Sequence, residues 1–405
     1  MNETSKILKI AIYWEQNDWG GVDSYIKNFI SSDIFSNFKF YIFTNIDNKG
    51  CKRILNFLKS KKVEIFYFKS LNTISSRNIV INFLINLLKP IFFFLSLFQS
   101  YFLLRKHNFD ILLAQCGGFG NFRSEVAAIL ISKFLIFSKR YLVVHHSCLK
   151  PIFWNTLLNI INNLLSKCLT AVICVSKATK DSIFYKSNLF DSNSNLKNIV
   201  IYNGIEIKKI EKNKALNIIF HKSSKYCLNL GVISRIESYK GHLDLIEAFD
   251  QLPKIYKEKL KIFFIGSGSE KEVFLLKENI DKKKLSDYFV FTGYLDYESF
   301  SILSYLDLLI SPTRTFEGFG ISIVEAMASE IPVLATRVGA ITEYLDNNCA
   351  KIIEAGDFIE LKNSLIDFVD NQNDWKNKAM KAKDRIRNNF TVEIMSKKYL
   401  ENFLS

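Results

Sequence analysis

Thirteen short apolar runs alternate with longer helix-patterned stretches, and this alternation confines the chain to parallel sheets covered by helices on both faces. In the first half the runs cover residues 7–13, 38–43, 63–68, 111–115, 141–145, 171–175 and 199–202. In the second they cover 227–232, 261–265, 288–292, 306–311, 332–335 and 350–353. Helical patterns such as 22–30 and 121–137 lie between them. Two doubly wound α/β domains fit the 405 residues, and 48% hydrophobic residues with only 5 Pro exclude a disordered chain. The domains are expected at 1–205 and 206–390, with the boundary in the Lys-rich, strand-poor stretch 206–224. Residues 391–405 are expected to form a terminal helix that crosses back to the first domain.

Charge is divided unequally. Residues 1–205 hold 25 basic and 11 acidic side chains, whereas 206–405 hold 29 of each, so the entire net charge of +14 lies in the first half. Such a step implies an anionic partner for that half. Within it, residues 79–104 carry a single charge, Lys89, and pass a length test for a membrane span. Five of their polar residues, Asn82, Asn86, Lys89, Ser96 and Ser100, fall on one helical stripe, kinked near Pro90, with Lys and Arg on both flanks. That pattern fits a helix lying in a membrane interface, and also an ordinary helix packed on core or partner. A true span is the poorest fit, because strands of one sheet lie on either side. Seven scattered Cys without metal-finger spacing point to a reducing, cytoplasmic compartment. The first apolar run is broken by Lys9 and followed by polar residues, so no secretory signal is expected there.

Three glycine-containing junctions are candidates for ligand contact. Gly20 and Gly21 follow the first strand, where backbone amides at a helix start favour an anion. Gly266-Ser267-Gly268 follows another strand but lacks the third glycine of a dinucleotide fingerprint, so a plain turn and a base contact both remain open. The third is the strongest: after a strand come Glu317, Gly318, Phe319 and Gly320, a helix beginning near Ile321, and Glu325 within it. Two carboxylates eight residues apart then border the carboxyl edge of a sheet, with loop amides placed for a phosphate or a sugar hydroxyl.

These residues resemble retaining glycosyltransferases of the GT-B fold, specifically glycosyltransferase family 4. Glu317 and Glu325 match its Glu-x7-Glu element, Arg235 and Lys240-Gly241 its cationic pair, and Pro332 to Thr336, Gly339 and Glu343 its next strand and turn. Val175-Ser176 and Tyr202-Asn203-Gly204-Ile205 resemble its markers near the domain junction. The resemblance implies two Rossmann-like doubly wound domains facing across a cleft. It implies that Arg235 and Lys240 clamp the donor diphosphate, that Glu325 meets the ribose, and that Glu317 meets the donor sugar. Gly20, Gly21, Asn203, Gly266 and Gly318 to Ile321 would complete the donor site. His145 or His146 would stand beside the sugar, His145 slightly favoured. The family usually has Gly where Glu330 stands and Gly-Gly where Gly339-Ala340 stands. Arg314 is an added cation that could reach donor or acceptor.

The expected activity is transfer of a sugar, with retention, from a nucleotide sugar, UDP foremost, to a lipid-linked or growing cell-surface glycan. No Asp-x-Asp is present, so no metal cofactor is expected and cations must absorb the leaving charge. The other expected partner is an anionic membrane surface at the inner face of the plasma membrane, and no nucleic acid is expected. Alternatives are a sugar-nucleotide epimerase of the same architecture and a non-catalytic, membrane-associated sugar-nucleotide-binding protein.

Overall fold

A computed structural model describes residues 7–71, 79–149, 153–191, 195–208, 211–220 and 228–405. Part of the expected boundary stretch, and Cys227 of the expected run 227–232, lie outside the described residues. The chain divides into two compact units, Met1–Gly204 with Val392–Ser405, and Ile205–Thr391.

In the first unit seven parallel strands, β1 (Lys9–Trp14), β2 (Lys39–Asn45), β3 (Val63–Phe68), β4 (Ile111–Cys116), β5 (Lys139–Val144), β6 (Ala171–Cys174) and β7 (Lys197–Val200), stand in the order β3-β2-β1-β4-β5-β6-β7. Every residue of β4 is buried, as a central strand covered on both faces requires. Helices α1 (Gly21–Ser31) and α2 (Lys49–Lys59) serve one arm of the sheet. Helices α3 (Ile79–Leu104), α4 (Ser124–Ser132), α5 (Asn155–Cys168) and α6 (Lys177–Lys186) serve the other. Right-handed crossovers put the two groups on opposite faces, and α3 packs on α4 and α4 on α5.

In the second unit six parallel strands stand in the order β10-β9-β8-β11-β12-β13: β8 (Leu228–Ile233), β9 (Leu260–Ile265), β10 (Phe289–Gly293), β11 (Leu308–Ser311), β12 (Val333–Thr336) and β13 (Lys351–Ile353). The intervening helices are α7 (His242–Asp250), α8 (Lys254–Lys257), α9 (Glu270–Lys282), α10 (Ser299–Leu303), α11 (Ile321–Ala328), α12 (Ile341–Tyr344), α13 (Phe358–Asp370) and α14 (Gln372–Asn389). The last helix, α15 (Val392–Leu404), belongs to the first unit. There Tyr399 and Phe403 pack with Tyr25, Phe29 and Phe35, and the Tyr25 and Tyr399 hydroxyls meet at 2.7 Å.

Helix α3 differs from the amphipathic expectation. Its inward stripe is Phe93, Ser96, Ser100 and Leu104, all buried, so two serines of the polar stripe face protein rather than water. Ten large apolar side chains point out instead, among them Phe83, Leu84, Leu88, Phe94 and Phe98. Asn86 and Lys89 are half-buried, and no described side chain from Ile81 to Lys89 is buried. The helix is 26 residues, about 39 Å at 1.5 Å per residue, against six-residue strands of about 20 Å, so its N-terminal part outruns the sheet. Among the described residues one helix, Phe83–Leu104, is long and apolar enough to cross a membrane. It sits between β3 and β4 of one sheet and packs on α4, which a crossing helix could not do.

Candidate functional site

In a doubly wound sheet the strand order reverses at one point, and the carboxyl ends of the two strands there splay apart to leave a crevice. In the second unit those strands are β8 and β11. The chain leaves β8 through Arg235 and a 3-10 turn, Ser238–Lys240, before α7. It leaves β11 through Arg314 and Glu317 before α11. The topology thus brings the two motifs together, and Lys240 Nζ donates to Glu317 Oε2 at 2.7 Å with both side chains mostly buried. Lys240 Nζ also lies 5.2 Å above the Tyr239 ring. Arg235, about half exposed, pairs with Glu237 Oε1 at 2.7 Å. Burial pushes the Tyr239 hydroxyl up; Glu237 and Glu317 add to this and Arg235 opposes it, so all these charges act on one patch.

Two devices hold that patch. Arg314 forks onto the buried Asp244 of α7, with Nε to Oδ2 at 2.7 Å, and its backbone N–H donates to Tyr239 O at 2.7 Å. Its guanidinium thereby ties the β11 loop to the Lys240 turn while staying about half exposed. The second device is Gly339, at φ +53, where a Cβ would lie 2.2 Å from Glu317 O. That close approach lets Ala340 N–H donate to Glu317 O at 2.9 Å and fixes the glutamate backbone.

Other expected donor-site residues take different parts. Gly318 is buried and Gly320 caps α11, whose first residue, Ile321, is half-buried, as is Glu325 one turn on. The Phe319 side chain is 3% exposed among Tyr344 and Phe390, and its carbonyl accepts from the Tyr344 hydroxyl. Its ring is thus core, so the ligand contact expected of the 318–320 loop falls to its backbone amides. Gly266 backs the Arg235 segment, since a Cβ there would lie 2.0 Å from Ser234 O. Ile236 N–H donates to Ser267 O at 2.9 Å, so the plain-turn reading has a structural purpose. Glu330 occupies φ +56, the left-handed region that favours glycine, and its carboxylate pairs with Lys383. Ala340, at φ −75, needs no glycine.

In the first unit the strand order reverses between β1 and β4. Gly20 and Gly21 follow β1 at the start of α1, as expected, but Gly20 N–H already donates to Asp23 Oδ1 at 2.8 Å. That amide is closed by the chain itself, which corrects its expected role, while Asp23 is held by Arg53 at 2.7 Å. His145 stands one residue past β5 and donates from Nε2 to Gln115 Oε1 of β4 at 2.8 Å, with Tyr25 of α1 edge-on at 4.8 Å. Surrounding protein excludes water from the ring and pushes His145 down to about 3, so it is neutral at physiological pH. His146 contacts Ser147 Oγ through Nδ1 at 3.2 Å. Asn203 is buried, and among the described residues its Oδ1 has no hydrogen-bond partner.

Sequence reasoning missed Tyr239, Asp244 and Gln115, whose parts depend on contacts across the sheet. It missed His242, buried at the first position of α7 against Phe264 and lowered to about 4 by burial and then Lys240. It also missed a polar cluster beside α3, where Glu15 accepts from Ser70 and Ser124. Next to it, burial raises Glu125 to about 7, Arg123 opposing and Glu15 adding. Among the described residues no group of three or more His, Cys, Asp or Glu is placed to hold a metal ion.

Residues 222–388 match the family model described as glycosyl transferases group 1, a segment that contains Arg235, Lys240, Glu317 and Glu325. The chain is 27% identical over 328 residues to the uncharacterized glycosyltransferase MJ1069 of Methanocaldococcus jannaschii, covering 78% of this chain and 80% of that one. It is 27% identical over 241 residues to the capsular polysaccharide biosynthesis glycosyltransferase CapM of Staphylococcus aureus, covering 56% and 60%. Among solved structures, Anabaena Alr3699/HepE in complex with UDP and glucose matches with a TM-score of 0.73 at 18% identity, covering 98% of this chain and 99% of that one. The fold is the GT-B α/β fold, two Rossmann-like parallel-sheet domains, and the second of them carries the group 1 glycosyl transferase match.

Proposed function

We propose that the protein is a glycosyltransferase that moves a sugar from a nucleotide-sugar donor, a UDP-sugar, to a lipid-linked or growing cell-surface glycan, with retention at the anomeric carbon. The observation that carries this reading is the Lys240–Glu317 contact at the β8/β11 reversal, inside the segment that matches the family. A cation and a carboxylate packed this tightly are each other's counter-charge while no ligand is bound. A donor diphosphate offers Lys240 a stronger anion and frees Glu317 to accept hydrogen bonds from sugar hydroxyls. Arg235, about half exposed and paired with Glu237, adds the second positive charge. Neutral His145, oriented by Gln115, suits hydrogen bonding to the sugar better than proton transfer.

The bond from the anomeric carbon to the diphosphate oxygen breaks, a bond to the acceptor oxygen forms on the same face, and the acceptor's proton leaves with the diphosphate. Cations at the leaving group lower that barrier without a metal. The names of CapM and HepE's bound UDP support envelope polysaccharide synthesis and a uridine donor. The reading places the enzyme in the cytoplasm, peripheral on the inner face of the plasma membrane.

The test is transfer from a panel of nucleotide sugars, chosen by the rise in melting temperature that a bound donor produces. Glu317→Gln and Lys240→Ala should each lower transfer by about 10²–10³-fold or more while melting stays near wild type. Activity near wild type in either variant would remove the assigned roles.

A further inference from the structure

Helix α3 leaves ten large apolar side chains exposed, and they continue into a neighbouring loop: Phe83 meets Phe153 edge-on at 5.7 Å, and Trp154 beside it is 40% exposed. Scattered surface leucines are ordinary in a soluble protein, but a continuous apolar face of this extent marks a surface that something covers. Its borders show what that is. Residues 79–168 contain nine basic and two acidic side chains. Of the two, Glu125 is buried and Asp110 accepts from the Lys9 backbone.

Because α3, α4 and α5 all return from the carboxyl edge of the sheet to its amino edge, their C-terminal ends share one rim. That rim exposes Arg105, Lys106, Lys133 and Lys167 among the exposed Phe102, Phe134, Ile136 and Leu164. The Arg105 guanidinium lies over the Phe102 ring at 4.6 Å, a cation on an aromatic at the edge of an apolar surface, as interfacial residues arrange themselves. A second copy of the chain would bring like-charged rims together, and an aqueous face would not bury Ser96 and Ser100 while exposing Phe94 and Phe98.

We propose that the outer face of α3, with Phe153 and Trp154, inserts into the interfacial layer of an anionic lipid bilayer, the Arg/Lys rim resting on the headgroups. The sequence segment alone left open which side of the helix faces outward; the packing on α4 selects the apolar side. The proposal rests on the peripheral placement in the proposed function, names the surface that makes it, and applies to the folded protein with or without donor.

The experiment is flotation of the full chain with phosphatidylcholine vesicles, with and without phosphatidylglycerol. Binding should require phosphatidylglycerol and weaken with salt. The variant Leu84→Gln/Leu88→Gln/Phe94→Gln/Phe98→Gln should lose about tenfold or more in vesicle affinity. Its melting temperature and its stabilisation by UDP should remain those of wild type, which separates lost docking from lost folding. Brominated lipid should quench wild-type fluorescence, and this quenching should fall in Trp154→Phe. Wild type left unbound at low salt, or a fourfold variant that binds as well as wild type, would overturn the proposal. So would a lipid-free dimer that the same four substitutions dissolve, since the face would then belong to a second copy.

Discussion

Helices α3 and α14, one from each unit, each bury a stripe but surround it with opposite chemistry. Helix α14 buries Trp375, Ala379, Ala382 and Ile386 and spends the rest of its 18 residues largely on Lys, Arg, Asp and Asn. Helix α3 buries Phe93, Ser96, Ser100 and Leu104 and turns Phe and Leu outward. The first is a water-facing helix held by its apolar stripe. The second packs two serines inward and leaves ten large apolar side chains outward, so packing against α4 cannot be the only purpose of its composition. The difference teaches that apolar content alone does not mark a core: what decides is which side of the helix the partner occupies.

The comparison breaks most easily at single side chains. Trp375→Ala, which empties a site that is 1% exposed, should cost about 3–5 kcal/mol in urea unfolding followed by circular dichroism. Phe98→Ala, at 66% exposure, should stay within about 0.5 kcal/mol. A comparable loss at Phe98 would mean that the outer face of α3 is packed in solution.

Acidity sharpens the contrast next, through two buried titratable groups of opposite sign, Glu125 in the first unit and His242 in the second. Glu125 in the first unit is raised to about 7, chiefly by burial, so its ionisation opposes folding as pH rises from the ordinary carboxylate range through 7. Glu125→Gln should therefore gain stability over wild type across that rise and hold the gain above it. His242 in the second unit is lowered to about 4, chiefly by burial, so its stabilising neutral form is favoured at neutral pH and that contribution is lost as pH falls from about 6.5 towards 4. His242→Gln should therefore be less sensitive to acid than wild type. Melting curves from pH 4 to pH 8 for both variants check the two signs, and parallel curves for variant and wild type would refute them.

The smallest effects lie at the two departures from the glycine pattern of the family the sequence resembles, Glu330 and Ala340, both in the second unit. Glu330→Gly should raise stability by about 1 kcal/mol, since φ +56 is strained for glutamate and the exposed Lys383 pair contributes little. Ala340→Gly should lower it by about 0.4–1 kcal/mol, because φ −75 suits alanine and glycine adds only unfolded-state freedom. Chemical denaturation midpoints of the two variants should move in opposite directions.

Much of this was legible in the sequence. All thirteen strands fall on the apolar runs, because parallel strands buried on both faces cannot hide their composition. Their ends shift by one or two residues where a polar side chain such as Lys139 or Lys197 begins the ladder. The helix expected over 121–137 is only Ser124–Ser132, since residues before it form a loop at the sheet edge and those after it expose Phe134 and Ile136. Glu317 and Lys240 were identifiable as residues, but their 2.7 Å contact joins positions 77 apart in the chain. For the same reason Asp244, Gln115 and Tyr239 escaped notice. Each acts through a neighbour supplied by another strand, and local spacing carries no record of it.

The last helix gives the molecule a constraint in time as well as in space. Tyr399 and Phe403 fill the aromatic core under α1, and Met395 Sδ accepts from Gly204 N–H, so the first unit is completed by residues that follow the whole second unit. A ribosome making this chain delivers an intact second unit before the first can close. Until synthesis passes Phe403, the half with the apolar skin waits with an open core, exposed to chaperones and to any lipid surface within reach.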